Sequence, residues 1–492
     1  MTAPRRSGGR SGGRSGRTGR PSRPGNGGPP RRRTGPARPP STDPARAAAL
    51  ELLTAVRDRD AYANLAMPAI LRRHRLAGRD AALATELGYG SCRALGLLDA
   101  VIDACASRPR SQIEAPLIDA LRLGVYQLLR TRIPSHAAVD STVELVRASA
   151  GSRSAGFVNA ILRRAGERSE AEWVAELAPD AERDPIGHLA FRHAHPTWIA
   201  RAFSDALGGA RDELPALLAA DDERPSVHLL ARPGVITAEE LALATGGEPA
   251  PYSPYGVRLD AGAGDPADLD AVTEGLALVI DEGSQLVALA LANAPLAGED
   301  GGRWLDLCAG PGGKAAILGG LAELGDGRLD AVERAEHRAE LVRANTAELP
   351  VTVHVADARS SGLPERAFDR VLVDVPCTGL GALRRRPEAR WRREPGDVAA
   401  LTALQRELLS SALRHVRPGG VVCYATCSPH LAETHGVLTG VLRKHPEVER
   451  LDARAVLPDM PGLGDGPTVQ LWPHRHGTDA MYVALLRLRH GE

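Results

Sequence analysis

The chain has 492 residues, 61 Lys and Arg against 61 Asp and Glu, and 43% hydrophobic residues. That length excludes a single compact core and suggests about three domains at roughly 150 residues each. No apolar run approaches the ~18 residues of a membrane-spanning helix, and the polar, glycine-rich start carries no signal-peptide pattern, so a cytoplasmic protein without membrane contact is expected.

The charge is unevenly placed. Residues 1–42 hold eleven arginines and no acid, leaving eleven net negative charges on the rest. Arg, Gly, Ser and Pro cannot build a hydrophobic core, so 1–42 is expected to be a disordered basic tail able to contact RNA phosphates nonspecifically. From Asp43 the texture becomes Ala/Leu/Arg-rich. Ser41, Thr42 and Asp43 before Pro44 signal a helix start. Leu117, Ile118, Leu121, Val125 and Leu128 share one helical face, and His136 to Arg147 and Gly156 to Arg164 repeat the helical texture. These features predict an all-α bundle over 43–170. Residues 171–290, with His-Pro-Thr-Trp-Ile at His195 to Ile199 and prolines at Pro251 and Pro254, read as a connecting RNA-binding subdomain that closes on a helix from Glu282 to Ala292.

Over 291–492 strands and helices alternate. A strand runs into Asp306, a helix follows Lys314, a strand covers Arg328 to Glu333, and a helix covers Glu336 to Leu349. Further strands are expected at Val351 to Asp357, Phe368 to Asp374, Val421 to Ala425 and Met481 to Leu488, with a long helix from Val398 to Val416. This spacing predicts a doubly wound, largely parallel α/β sheet with ligands at the carboxyl ends of its strands.

Gly310-Pro311-Gly312-Gly313-Lys314-Ala315 satisfies the loose G-x-G-x-x-G/A pattern, and Glu333 lies where a ribose-binding acid belongs. By itself the loop fits a nicotinamide-dependent Rossmann oxidoreductase nearly as well as a methyltransferase. A P-loop is excluded, because Cys308 takes the first glycine position and Ala315 replaces the Mg²⁺-binding hydroxyl residue. Asp306, Glu333, Asp357 and Asp374 fall at successive strand ends and suit a polar, nucleoside-sized ligand. Lys314 stands out because Lys444 is the only other lysine.

Cys377, in Asp-Val-Pro-Cys-Thr-Gly, and Cys427, in Tyr-Ala-Thr-Cys-Ser, follow two buried-looking strands. Hydride transfer needs neither thiol. Methylation of cytosine at C5 does need one, because C5 becomes nucleophilic only after a thiolate adds at C6. An ordinary cysteine is only a few per cent thiolate at neutral pH, so its surroundings must depress its pKa. Cys423, Cys92 and Cys105 read as core, Cys308 as packing in the loop. Cys423, Cys427, His474 and His476 converge poorly for a metal, so no metal is expected.

The strings Asp306 to Lys314, Asp374 to Trp391, Tyr424 to Ser428 and Leu471 to Asp479 resemble the Fmu/Sun-type RNA cytosine-5 methyltransferases, and Ile133 to Leu145 with Gly156 to Arg164 resemble NusB, a helical RNA-binding fold. The resemblance implies a Rossmann-like S-adenosylmethionine-dependent domain preceded by an all-α NusB-like domain, acting as a monomer on RNA, small-subunit ribosomal RNA in particular. It implies that Cys427 is the nucleophile and that Cys377 helps resolve the adduct. Asp374 would touch the cytosine or the cofactor's methionine end, and Lys314 would orient the target. Cys308, Ala309, Gly310, Pro311, Gly312, Gly313 and Lys314 would wrap S-adenosylmethionine, Glu333 would accept its ribose hydroxyls, and Asp357 would bind its adenine amine. Arg384, Arg385, Arg386 and Arg390, and in the helical region Arg163 and Arg164, would meet phosphates. The opposing class is a non-catalytic RNA-binding relative. The family often has Glu-Asn at Glu433-Thr434, Gly-Phe at Ala480-Met481 and Arg-x-Asn at Ser226-Val227-His228.

Overall fold

The computed structural model describes residues 43–260, 264–457 and 460–490, so the expected basic tail lies outside the described residues. Helices come first: α1 (Pro44–Arg59), α2 (Ala63–His74), α3 (Gly78–Arg93), α4 (Leu95–Cys105), α5 (Ala115–Arg130) and α6 (Ser135–Ala165). Asp43 starts α1, its carboxylate accepting from the Ala45 and Arg46 amides at 3.0 and 3.1 Å while Pro44 occupies the first turn. Helix α6 is broken at Gly151, whose φ of 82° lies in the left-handed region that a glycine adopts without strain. Leu117, Ile118, Leu121 and Val125 all face the core of this bundle, with Leu128 at its edge.

The connecting stretch is richer than its sequence suggested. Four short helices between Glu170 and Asp222 lead into a four-stranded antiparallel sheet of β1 (Val227–Ala231), β2 (Glu248–Pro249), β3 (Gly256–Leu259) and β4 (Ala277–Val279), in the order β2-β3-β1-β4. The helix Glu282–Ala292 follows, with the bounds the sequence predicted.

The large sheet contains β5 (Arg303–Asp306), β6 (Arg328–Glu333), β7 (Val351–Val355), β8 (Phe368–Asp374), β9 (Val416–Thr426), β10 (Val448–Leu451), β11 (Val469–Gln470) and β12 (Tyr482–Leu488). Its order is β10-β12-β9-β8-β5-β6-β7, with β11 paired to β12. Strands β7, β6, β5, β8 and β9 are parallel, and β12 and β10 add antiparallel pairings. Both faces of the central strands are covered, so their middles are apolar on both sides: Leu372, Val421 and Cys423 pack on one side with the helices Glu282–Ala292 and Gly313–Glu323, while Val371, Val373, Val422 and Tyr424 pack on the other with the helix Asp397–His415. This is a Rossmann-like, largely parallel sheet behind a helical region. Among the described residues no helix is long and apolar enough to cross a membrane.

Candidate active site

The order β7-β6-β5-β8-β9 brings five parallel strand ends to one edge, and four of them deliver the expected acids. Asp306, 1% exposed, ends β5 and accepts the Cys308 amide at 3.1 Å. Burial, reinforced by the nearby Asp374 carboxylate, pushes its pKa up to about 7. The loop after it is pinned from several sides. The Ala309 amide donates to the Val332 carbonyl at 3.0 Å, Arg338 donates to the Gly310 carbonyl at 2.5 Å, and the Asn345 amide group donates to the Pro311 carbonyl at 2.9 Å. A Cβ at Gly310 would sit 2.2 Å from Glu333 Oε2, and Gly312 has a φ of 110° with a Cβ position 2.9 Å from Val342 Cα. Only glycines let the loop run this close to β6 and its following helix.

Glu333 ends β6, with Oε1 accepting from the Ala335 amide at 2.9 Å and Oε2 3.4 Å from Arg338. Asp357 follows β7, and both its oxygens are engaged by Arg359, which holds its carboxyl down to about 2. The adenine contact expected of Asp357 therefore competes with that pair. Lys314, in the first turn of the helix Gly313–Glu323, places Nζ 2.8 Å from Asp374 Oδ2 at the end of β8. Burial works against the lysine's charge, but Asp374 outweighs it and raises the Lys314 pKa.

Strands β8 and β9 are parallel neighbours with Asp374 opposite Ala425, so the residues just beyond them meet. The sulfurs of Cys377 and Cys427 are 3.3 Å apart. A hydrogen bond from Cys377 lowers the Cys427 pKa; burial and Asp374 oppose this, and Arg386 and Lys314 assist it. The same bond and burial push the Cys377 thiol well up. The pair is thus polarised, with Cys427 the better thiolate and Cys377 the donor.

Glu433 is fully buried, and its local sequence announces no role for it. Its carboxylate accepts from the Thr378 amide at 2.8 Å, the Thr378 hydroxyl at 2.5 Å, the Ser428 hydroxyl at 2.6 Å and Gln405 Nε2 at 2.9 Å. Thr378 and Ser428 are the residues directly after the two cysteines, so one carboxylate ties both loops together. The Gly381 amide adds a bond to the Cys427 carbonyl at 2.8 Å. The signal in the sequence is an acid six residues beyond Cys427, and no spacing rule connects it to Thr378.

The arginine run departs from expectation. Arg384 and Arg385 pair with Asp479 at 3.2 and 3.0 Å, and Arg385 also reaches Asp281 at 2.6 Å. Arg390, with no exposure, bonds the Ala194 and Asp221 carbonyls at 3.1 and 3.0 Å and pairs with Asp221 and Asp222. These three are internal clamps rather than phosphate contacts, because carboxylates from the connecting stretch, from the turn before Glu282 and from Asp479 neutralise them. Arg164 and Arg163 are both exposed, Arg164 donating to the Cys105 carbonyl at 2.9 Å and Arg163 lying beside Asn159. His474 pairs with Glu213 at 2.7 Å and His476 Nε2 with the Pro461 carbonyl at 2.9 Å, and among the described residues no cluster of metal ligands forms.

Two family models match the chain: 16S rRNA methyltransferase RsmB/F over residues 293–487 and the NusB family over residues 43–167. A Mycobacterium tuberculosis protein provisionally named a methyltransferase is 62% identical over 93% of this chain and 99% of its own length. The ribosomal RNA small subunit methyltransferase B of Pseudomonas putida is 32% identical over 90% of this chain and 98% of its own. Among solved structures, PH0851 superposes with a TM-score of 0.74 at 24% identity, covering 92% of this chain and 99% of that one. NSun6 from Pyrococcus horikoshii, solved with SFG, gives a TM-score of 0.50 at 19% identity over 60% of this chain and 99% of that one. Both structural likenesses speak to the fold.

Proposed function

Because the chain belongs to the RsmB/F family of 16S rRNA methyltransferases, we propose that it methylates C5 of a cytosine in small-subunit ribosomal RNA through a covalent bond between Cys427 and cytosine C6. The observation that supports this most directly is the contact between the Cys377 and Cys427 sulfurs, 3.3 Å apart, on neighbouring loops of the edge that also carries the Lys314–Asp374 ion pair. Neither hydride transfer nor RNA binding without catalysis calls for two thiols in contact at this edge. In this reading residues 43–170 and 171–290 hold RNA and residues 291–492 carry out the transfer.

S-adenosylmethionine, the cofactor, supplies an electrophilic methyl group. The chain's residues fit it: the edge offers a glycine loop whose backbone is open at Gly310 and Gly312, and a side chain at 310 would fall on the Glu333 carboxylate that a ribose requires. Cys308 to Lys314 would hold it with Glu333, Asp357 and Asp374. Cys427, as thiolate, adds to C6 and makes C5 nucleophilic. Lys314 and Asp374 hold the base by its polar edge. Once C5 is methylated its proton passes to a base, the C6–S bond breaks and the Cys427 thiolate is restored; Cys377, in contact with that sulfur, serves this resolving step. C6 is inaccessible within a stacked helix, so the target is unpaired or flipped.

The test is nucleoside mass spectrometry of small-subunit RNA methylated by the protein, together with RNA carrying 5-fluorocytosine, whose C5 fluorine blocks the elimination. The expected results are 5-methylcytosine and a trapped protein–RNA adduct. A methyl group on a ribose oxygen or on the exocyclic nitrogen would end this reading.

A further inference from the structure

Arg386 differs from the other arginines of its run. Arg384, Arg385, Arg390 and Arg393 have carboxylate partners, and Arg392 donates to the Val56, Asp60 and Ala61 carbonyls at the end of α1. Among the described residues the Arg386 side chain has neither an ion pair nor a hydrogen bond, and it is exposed. Its guanidinium carbon lies 5.5 Å from the ring centroid of Tyr62, which precedes α2 and is 47% exposed, with Leu65 70% exposed on the first turn beyond it. Its neighbours on either side are locked to the helical and connecting regions, so its backbone is held in place, and the buried Glu388 carboxylate feels its charge without pairing with it.

The backbone of this segment is tied to that of the Cys427 loop. The Arg386 amide donates to the Ala382 carbonyl at 3.1 Å, and the adjoining Gly381 amide donates to the Cys427 carbonyl at 2.8 Å. Arg386 also helps hold the Cys427 thiol down. A half-exposed tyrosine beside a guanidinium that makes no ion pair is chemistry that takes single-stranded nucleic acid, the ring stacking on a base through the side away from the arginine and the guanidinium meeting a phosphate.

We propose that Tyr62 and Arg386 form a flanking-nucleotide site, with Arg386 on the phosphate beside the target cytidine and Tyr62 stacked on the adjoining base. The proposal rests on the reading of the substrate as a cytosine in RNA. It gives the helical region a direct part in presenting the target, through a residue on its own surface.

Four variants of the full chain test it: Tyr62→Ala, Tyr62→Phe, Arg386→Ala and Arg386→Lys. Each is assayed for the KM of an RNA oligonucleotide, the salt dependence of RNA binding and S-adenosylmethionine affinity, with thermal melting to confirm folding. Tyr62→Ala is expected to raise the RNA KM about tenfold, in line with the loss of one base stack, while Tyr62→Phe stays near wild type. Arg386→Ala is expected to flatten the slope of log affinity against log salt by about 0.7, one phosphate contact on a single strand, and Arg386→Lys to restore most of that slope. Cofactor affinity should not move. An unchanged KM in Tyr62→Ala, or an unchanged salt slope in Arg386→Ala, overturns the proposal. Nucleoside analysis of the wild-type product separates the two readings: methyl at a position other than cytosine C5 defeats the proposed function, whatever the variants do to RNA binding.

Discussion

Trp391 occupies the space that a side chain on Gly96 would need. A Cβ at Gly96 would lie 2.1 Å from Trp391 Cη2, and the indole Nε1 donates to the Arg93 carbonyl at 3.0 Å. The segment that begins at Cys377 therefore ends seated in the junction of α3 and α4. Arg393, two residues on, donates back to the Thr378 carbonyl at 3.1 Å.

Gly96→Val should unseat the indole. Overpacking of this kind costs about 1–3 kcal/mol, so chemical denaturation should show a lower midpoint. Methylation should fall with it, because the same segment carries Cys377. A variant with wild-type midpoint and wild-type turnover would mean that the seat is not needed to hold the segment.

Glu433→Ala should leave the Thr378 amide without its acceptor and remove the carboxylate shared by the Thr378 and Ser428 hydroxyls, which keep only each other at 3.0 Å, and by Gln405, which keeps the Pro376 carbonyl. Each buried donor left unpaired costs about 1–3 kcal/mol, and the loops of Cys377 and Cys427 lose their common tie. Stability should drop and adduct formation should slow more than S-adenosylmethionine binding weakens. Stopped-flow or quenched adduct assays beside cofactor calorimetry would separate the two effects, and equal losses in both would argue against a role in holding the thiols.

The two thiols should behave differently. Cys427→Ala should form no adduct, whereas Cys377→Ala should add to RNA and release it poorly, leaving a retarded band on a denaturing gel. The pH dependence has a definite sign. Cys377 lowers the Cys427 pKa by donating to it, so removing that donor raises the pKa and moves the alkylation profile of Cys427 to higher pH. Iodoacetamide rates measured from pH 6 to 10 on wild type and Cys377→Ala check this, and a shift to lower pH would contradict the assigned direction of the hydrogen bond.

Asp306 should make the cofactor-free protein lose stability as pH rises. Its folded pKa is raised to about 7 by burial, above the ordinary ~3.9 of an unfolded aspartate. The folded chain therefore holds a proton that the unfolded chain has given up, and the stabilisation present below pH ~4 is lost as pH climbs through 7. Asp306→Asn should be more stable than wild type at pH 8 by up to about 4 kcal/mol, and close to it at pH 4. Urea midpoints at the two pH values measure the difference.

Much of the site could be read along the chain because its chemistry is local. The glycine loop, Lys314 and the acids at strand ends occupy fixed places relative to their own strands, and alternating strands and helices force a parallel sheet whose ends share one edge. The antiparallel strands β1 to β4 are not legible in the sequence because they are only two to five residues long and sit among prolines and glycines, too short for a period to show.

The sequence alone determined the alternation of the parallel strands with their helices, the family and the two cysteine strings, since each depends on residues close together. Tertiary structure alone decided how they are used. Whether an arginine is a clamp or a free charge depends on which carboxylates arrive beside it, and Asp221, Asp281 and Asp479 come from distant segments to neutralise Arg390, Arg385 and Arg384. Arg386 is left over by the same packing and put against Tyr62, more than 300 positions earlier in the chain. Glu433 gained its role in the same way: a buried carboxylate must find donors, and only the folded sheet brings it Thr378, Ser428 and Gln405 at once.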